Sequence, residues 1–221
     1  MLSLYVDTAV REDAGPLLDL GVFRGLTTNP LLLQRAGLSA ADLPDLVKWA
    51  LARGVHEVFC QAWGDTVGDL VTRGEKLHGY DPAVVVKVAA TRAGVQAAAT
   101  LARDGVPVLL TAVYSAPQAV LAAAAGCAYV APYLGRMADA GRPAYQEVLS
   151  MHRLLTAVGG PARVLVASVR NPNDVVVLAQ EGVECFALPP AVAAAFFADP
   201  LTLAAAEAFE QAARGERSHT P

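Results

Sequence analysis

The chain has 221 residues, of which 54% are hydrophobic and 17% charged, with a net charge of −4. This supplies the core of one α/β domain or a small α/β barrel, and it gives no electrostatic case for nucleic acid or an anionic membrane as partner. No apolar run approaches the roughly 20 residues of a membrane-spanning helix without a charge or a helix breaker. The N-terminus opens as a strand, without the basic start and apolar run of a signal peptide, so a cytoplasmic location is expected.

In chain order, short β-branched runs alternate with longer amphipathic ones. The first strand begins near Ser3 and ends at Asp7; the second begins near Gly25 and ends in Thr27-Thr28-Asn29-Pro30. A helix over 41–53 follows, with Leu43, Leu46, Val47, Ala50 and Leu51 at helical spacing. The third strand runs from Glu57 to Gln61, and a helix covers 67–77. The fourth strand begins near Ala83 and contains Lys87, and a helix covers 93–103. The fifth strand, from Pro107, ends at Thr111, and a helix covers 116–125. The sixth, from Ala128, ends at Tyr133, with Arg136 just beyond and a helix over 145–158. The seventh, from Arg163, ends at Ser168, followed by Arg170 and a helix over 173–180. The eighth, from Cys185 to Pro189, has no ionisable end. Residues 191–214, broken at Asp199-Pro200, read as an eighth helix and an appended one. Gly54, Gly105, Gly126, Gly160 and Gly182 stand where helices should end.

About eight strands alternating with about eight helices imply a (β/α)8, or TIM, barrel. It is expected as a single domain over 1–221, with 201–221 as an appended C-terminal helix and tail. An open doubly wound sheet is the alternative. Such a sheet usually carries a Gly-rich phosphate loop after its first strand, which Asp7-Thr8-Ala9-Val10-Arg11 lacks. The appended helix either packs on a neighbouring subunit or closes the bottom of its own barrel, and the polar tail 214–221 is expected to fray.

Lys87 sits in the run Ala83-Val84-Val85-Val86-Lys87-Val88-Ala89-Ala90, which reads as a strand buried on both faces. Burial disfavours an ammonium, and a lowered pKa leaves the free amine that Schiff-base chemistry needs. An edge strand or an outward-snorkelling stem is the competing reading. The other lysines, Lys48 and Lys76, fall on polar helix faces.

In a barrel the site lies at the C-terminal strand ends. Those ends gather Asp7, Thr28, Asn29, Gln61, Lys87, Thr111, Tyr133, Arg136, Ser168 and Arg170. Asn171 and Pro172 suit the start of a helix after the seventh strand, where phosphate sites often lie. The two arginines bind that anion or else make surface ion pairs. Cys60, Cys127 and Cys185 are too far apart for a CxxC pair and are expected as buried free thiols. His56, His78, His152 and His219 avoid the strand ends, so neither a histidine base nor a metal is expected.

In these residues the sequence resembles the transaldolase family, including its small fructose-6-phosphate aldolases. The matching motifs are Leu4-Tyr5-Val6-Asp7-Thr8, Thr27-Thr28-Asn29-Pro30, Val85-Val86-Lys87-Val88, Thr111-Ala112-Val113-Tyr114, Ala131-Pro132-Tyr133-Leu134-Gly135-Arg136 and Ala167-Ser168. The resemblance spans essentially the whole chain. It implies a barrel with no metal or cofactor, sugar-phosphate substrates and a homo-oligomer, pentameric or decameric. It also implies Lys87 as the Schiff-base residue, Asp7 for protons or substrate hydroxyls, Asn29 for the dihydroxyacetone part, and Arg136, Ser168 and Arg170 for phosphate. Gln61, Thr111 and Tyr133 resemble the fructose-6-phosphate aldolase set, where transaldolases carry Glu, Asn and Phe, and would hold a proton-relaying water. The alternative is a true transaldolase of the pentose phosphate pathway, converting sedoheptulose 7-phosphate and glyceraldehyde 3-phosphate to erythrose 4-phosphate and fructose 6-phosphate. Two further classes are a pyridoxal-phosphate enzyme, which lacks a clear ring partner here, and an inactive barrel that only binds sugar phosphates.

Overall fold

A computed structural model describes residues 2–214. Residues 215–221, with the expected tail and His219, lie outside the described residues. Eight parallel strands close into a barrel in chain order: β1 Ser3–Asp7, β2 Phe23–Thr27, β3 Glu57–Gln61, β4 Val84–Ala89, β5 Val108–Val113, β6 Tyr129–Pro132, β7 Arg163–Val166 and β8 Cys185–Leu188. The last strand pairs with the first from Ser3 opposite Cys185 to Val6 opposite Leu188. No open edge remains, so the doubly wound alternative is excluded.

The surrounding helices are α1 Arg11–Leu18, α2 Pro30–Arg35, α3 Leu43–Leu51, α4 Val67–His78, α5 Arg92–Arg103, α6 Ala116–Ala124, α7 Leu134–Asp139, α8 Ala144–Val158, α9 Pro172–Gln180, α10 Pro190–Ala195 and α11 Pro200–Ala213. The sequence pattern passed over α1, α2 and α7. In α1, Gly15 and Pro16 interrupt the periodicity; α2 and α7 have six residues each, too few to show one. The expected glycine after 145–158 is Gly159, at φ 74°, one residue before Gly160. Asn171 caps α9 as expected, its side chain accepting from the Asp174 amide, with Pro172 as the first helical residue. Helix α11 contains no buried residue, and Leu201, Leu203 and Phe209 on it are exposed, so it does not close the bottom of its own barrel. Among the described residues, no helix is long and apolar enough to cross a membrane.

Alternation along each strand makes two cores. Outward-facing residues such as Val6, Leu26, Val58, Val86, Val108, Val130 and Phe186 pack under the helices. Inward-facing Tyr5, Phe59, Val85, Leu109, Tyr129 and Leu165 fill the barrel. The Tyr5 and Phe59 rings meet edge-on at 5.1 Å, and Phe59 and Tyr129 at 5.3 Å. Gly25 makes this possible, because a Cβ there would stand 2.2 Å from the Glu57 carbonyl oxygen and 3.0 Å from the Tyr5 ring.

Beneath the aromatic layer, one carboxylate on β3 ties three other strands to its own. Glu57 accepts from Tyr5 Oη at 2.8 Å, Tyr129 Oη at 2.7 Å and Arg24 Nε at 2.7 Å, and Arg163 donates to Tyr129 Oη at 2.6 Å. Burial alone would raise the Glu57 carboxyl, but hydrogen bonds from Tyr129, Tyr5 and Arg24 outweigh it and hold it below its ordinary value. A carboxyl depressed in the folded state stabilises above its unfolded pKa of about 4.3 and loses that contribution as pH falls through the lower folded value. Glu57→Gln is therefore expected to lower stability by roughly 1–3 kcal/mol at pH 7. The gap to the wild type should close on acidification below about pH 4. Urea unfolding across pH measures both, and a pH-independent gap would contradict the account.

Candidate active site

The alternation that seats Tyr5 and Phe59 in the barrel also turns Asp7, Thr27, Lys87, Thr111 and Tyr133 inward, one layer nearer the C-terminal mouth. With Asn29, Arg136, Ala167 and Ser168 they line a cavity floored by Leu109, Ala131, Leu165 and Ala187. The mouth is polar and the floor apolar, as in a pocket that orients its ligand with a few fixed groups.

Lys87 lies on β4 between Gln61 of β3 and Leu109 of β5 and is 5% exposed. Its amine donates to Thr27 Oγ1 at 3.0 Å and to the Thr28 carbonyl at 2.8 Å. Burial lowers its pKa, and the nearby Asp7 charge offsets part of that drop. A neutral amine with two hydrogens so engaged keeps its lone pair for the fourth tetrahedral direction. Burial pushes the Cys60 thiol, behind Lys87, up to about 12. The Asp7 carboxyl is itself raised by burial, against the opposing charges of Lys87 and Arg136.

Across the cavity, Thr111 Oγ1 and Tyr133 Oη share a hydrogen bond of 2.9 Å. The β5 register shifts between Leu110 and Val113, and Ala112 takes a left-handed backbone at φ 56°. Tyr133 packs edge-on against Tyr114 at 5.6 Å, and the Arg136 guanidinium lies 4.9 Å over its ring. Burial raises the Tyr133 phenol, so it is protonated at neutral pH. Ser168 has φ 58°, and its carbonyl accepts from the Gly135 amide at 2.9 Å. Gly135 permits this approach: a Cβ there would stand 2.6 Å from the Ser168 oxygen. The first turn of α7, with Arg136, is thereby held beside Ser168.

Seven of the ten sequence-selected residues line the one cavity: Asp7, Asn29, Lys87, Thr111, Tyr133, Arg136 and Ser168. The other three do not. The Thr28 side chain faces away, fully buried with Oγ1 unpartnered, and only its carbonyl reaches Lys87. Gln61 lines a neighbouring apolar pocket with Pro30, Leu33, Leu38 and Trp63. Among the described residues it has no hydrogen bond to Thr111 or Tyr133. Arg170 pairs with Asp139 at 2.5 Å, with both side chains exposed. Sequence reading missed Thr27, though it shares the inward parity of Gly25, and it missed Arg35, four residues beyond Leu31 on α2; Leu31 and Arg35 both line the cavity. Asn29 caps α2, its Oδ1 accepting from the amides of Leu31 at 3.0 Å and Leu32 at 3.1 Å, which leaves its amide nitrogen free to donate.

Comparison with known proteins places most of the chain in one family. A family model described as Transaldolase/Fructose-6-phosphate aldolase matches residues 4–219. A probable transaldolase of Rhodospirillum centenum is 35% identical over 204 residues, covering 91% of this chain and 86% of that one. Another from Thermus thermophilus is 33% identical over 210 residues, covering 91% and 93%. Among solved structures, thiamine phosphate pyrophosphorylase from Pyrococcus furiosus aligns over 87% of each chain with a TM-score of 0.60 at 16% identity, which is a likeness of fold alone. The chain belongs to the transaldolase/fructose-6-phosphate aldolase family.

The balance of burial and charge at Lys87 is measurable. The Lys87 amine, followed by NMR after isotope-labelled reductive methylation, should titrate below the roughly 10.4 of an ordinary lysine. Asp7→Asn should lower it further, because Asp7 opposes the effect of burial. A value at or above the ordinary one, or one that Asp7→Asn leaves in place, would contradict this electrostatic account.

Proposed function

We propose that this member of the transaldolase/fructose-6-phosphate aldolase family is a class I enzyme that cleaves or transfers the dihydroxyacetone unit of a ketose phosphate through an imine on Lys87. The observation that carries the reading is the buried Lys87 amine, lowered in pKa and held by Thr27 and the Thr28 carbonyl inside a cavity that also holds Asp7. The amine attacks the C2 ketone, and loss of water gives an iminium that serves as an electron sink. Asp7, its carboxyl raised toward neutrality, takes the C4 hydroxyl proton as the C3–C4 bond breaks. The aldehyde phosphate leaves, and a three-carbon enamine stays on Lys87. Asn29 donates to its hydroxyls, and Arg136 and Ser168 hold the phosphate. No cofactor is required.

The fate of the enamine separates aldolase from transaldolase. The Thr111–Tyr133 pair favours an aldolase: the protonated phenol, through a bound water, returns a proton to the enamine carbon and the imine is hydrolysed. Gln61 lines the neighbouring pocket and, among the described residues, has no hydrogen bond to Thr111 or Tyr133. The relatives named probable transaldolase favour the second reading, in which the enamine attacks an aldose phosphate instead. The exposed Leu201, Leu203 and Phe209 of α11 support a homo-oligomer.

Borohydride reduction in the presence of fructose 6-phosphate should leave a three-carbon adduct on the Lys87 peptide by mass spectrometry; an unlabelled Lys87 would refute the imine. Release of glyceraldehyde 3-phosphate without an acceptor indicates the aldolase, and release only with erythrose 4-phosphate the transaldolase. Tyr133→Phe should slow aldol cleavage by roughly 10²–10⁴-fold while the Lys87 adduct still forms.

A further inference from the structure

We propose that Asp174 is a positioning residue for phosphate recognition: its buried carboxylate, tied to Tyr145 of α8, fixes the turn between β7 and α9 so that Ser168 and Arg170 stay in register with Arg136. The inference rests on the reading that the substrate phosphate is held at this turn. Lys87 and Asp174 are the two acidic or basic side chains buried among the described residues, and the proposed chemistry uses only Lys87. Asp174 is 6% exposed, and both its oxygens are fully engaged. Oδ2 accepts from the amides of Arg170 at 2.9 Å and Asn171 at 3.3 Å. Oδ1 accepts from Asn171 Nδ2 at 3.1 Å and from Tyr145 Oη at 2.7 Å. Burial and the bond to Asp174 push the Tyr145 phenol up to about 12, so it remains a donor at neutral pH.

A helix cap alone does not require this much. The comparable cap of α4, Thr66 with Asp69, is exposed, and Asp69 draws its ion pair from Arg73 of its own helix. Asp174 instead reaches another helix, and the place it reaches is informative. Arg136 lies between Gly135 and Tyr145, and both of these are bonded to the turn: the Gly135 amide to the Ser168 carbonyl at 2.9 Å, and Tyr145 to Asp174. The segment bearing Arg136 is thus fastened on both sides to the turn bearing Ser168. The Arg170 stem crosses α7 at Gly135, where a Cβ would overlap it, and its guanidinium meets Asp139 one turn further on. Two arginine stems and a serine at left-handed φ are thereby brought side by side at the ends of β6 and β7. Forked guanidinium contacts to a phosphate depend on geometry, and groups on loops keep that geometry only when the residues behind them are locked. The Asp174 carboxylate is the buried member of this set of ties; the Arg170–Asp139 pair is exposed.

The test compares the wild type with Tyr145→Phe, Asp174→Asn, Asp174→Ala and, as a cap lost elsewhere, Thr66→Ala. Calorimetric titration with glucitol 6-phosphate, which has the phosphate but no carbonyl, reads phosphate recognition without imine chemistry. Asp174→Ala should weaken this binding roughly tenfold and Tyr145→Phe roughly threefold. KM for fructose 6-phosphate should rise by similar factors, with kcat changing less than about twofold. Asp174→Asn should recover part of the loss, because its amide oxygen still accepts from the Arg170 amide. Tyr145→Phe should add nothing to Asp174→Ala, and Thr66→Ala should bind as the wild type does even where it lowers Tm. Binding within about twofold of the wild type in both Tyr145→Phe and Asp174→Ala overturns the proposal, as does an equal loss in Thr66→Ala. If Asp174→Ala fails to fold, Tyr145→Phe, which loses one hydroxyl, decides. If the wild type binds glucitol 6-phosphate no better than glucitol, the phosphate reading falls and this inference with it. If it does bind better and the Tyr145 and Asp174 variants match it, this inference alone falls.

Discussion

A buried amine is the constraint around which this barrel is arranged. Lys87 is 5% exposed on a strand of valines. A bare ammonium at such a depth would be strongly disfavoured, so the surroundings must either neutralise it or satisfy it. They do both: two oxygens of the β2 end accept its hydrogens, and the Asp7 carboxylate keeps the pKa from dropping further. Parallel pairing makes this arrangement rigid, since β4 cannot slide against its neighbours without carrying every valine to the wrong face.

The two ends of the barrel divide the work. Near the N-terminal end, Glu57 gathers Tyr5, Tyr129 and Arg24 beneath the packed rings, and the carboxylate is fully engaged. Toward the C-terminal end, polar groups point into open space, and two non-glycine residues, Ala112 and Ser168, hold left-handed backbone. Such conformations cost on the order of 1–3 kcal/mol each and persist only where neighbours enforce them. Ala112 follows Thr111 at the register shift of β5, and Ser168 is fixed by its bond to Gly135. The strain therefore lies beside the groups that face the ligand, and the tightly bonded base offsets it.

The barrel was legible because its signal repeats: each valine-rich run, each amphipathic run and the glycines after them point to one architecture. Lys87 was legible because it breaks the pattern of its own strand. Asp7, Thr111 and Tyr133 were legible as the polar ends of apolar runs. Parity was harder to see. Thr27 and Thr28 are the same residue type, and only the register with β3 decides which hydroxyl faces Lys87. Gln61 has the inward parity, yet it lines the pocket beside Trp63, among residues of α2 and α3 that strand parity does not reveal. Arg35 was hidden because α2 is too short for a helical pattern to show which side faces the cavity. The partner of Arg170 was not legible, because proximity in sequence to Ser168 says nothing of Asp139, which α7 brings to it across the fold.

The aromatic layer of Tyr5, Phe59 and Tyr129 has one more consequence, for traffic. It closes the barrel from below, and the cavity opens toward the C-terminal strand ends. On the proposed reaction, a fragment held on Lys87 lies between that aromatic floor and the mouth, so water or a second aldehyde approaches it from the mouth side. The floor thereby sets the direction of exchange before any side chain selects a reactant.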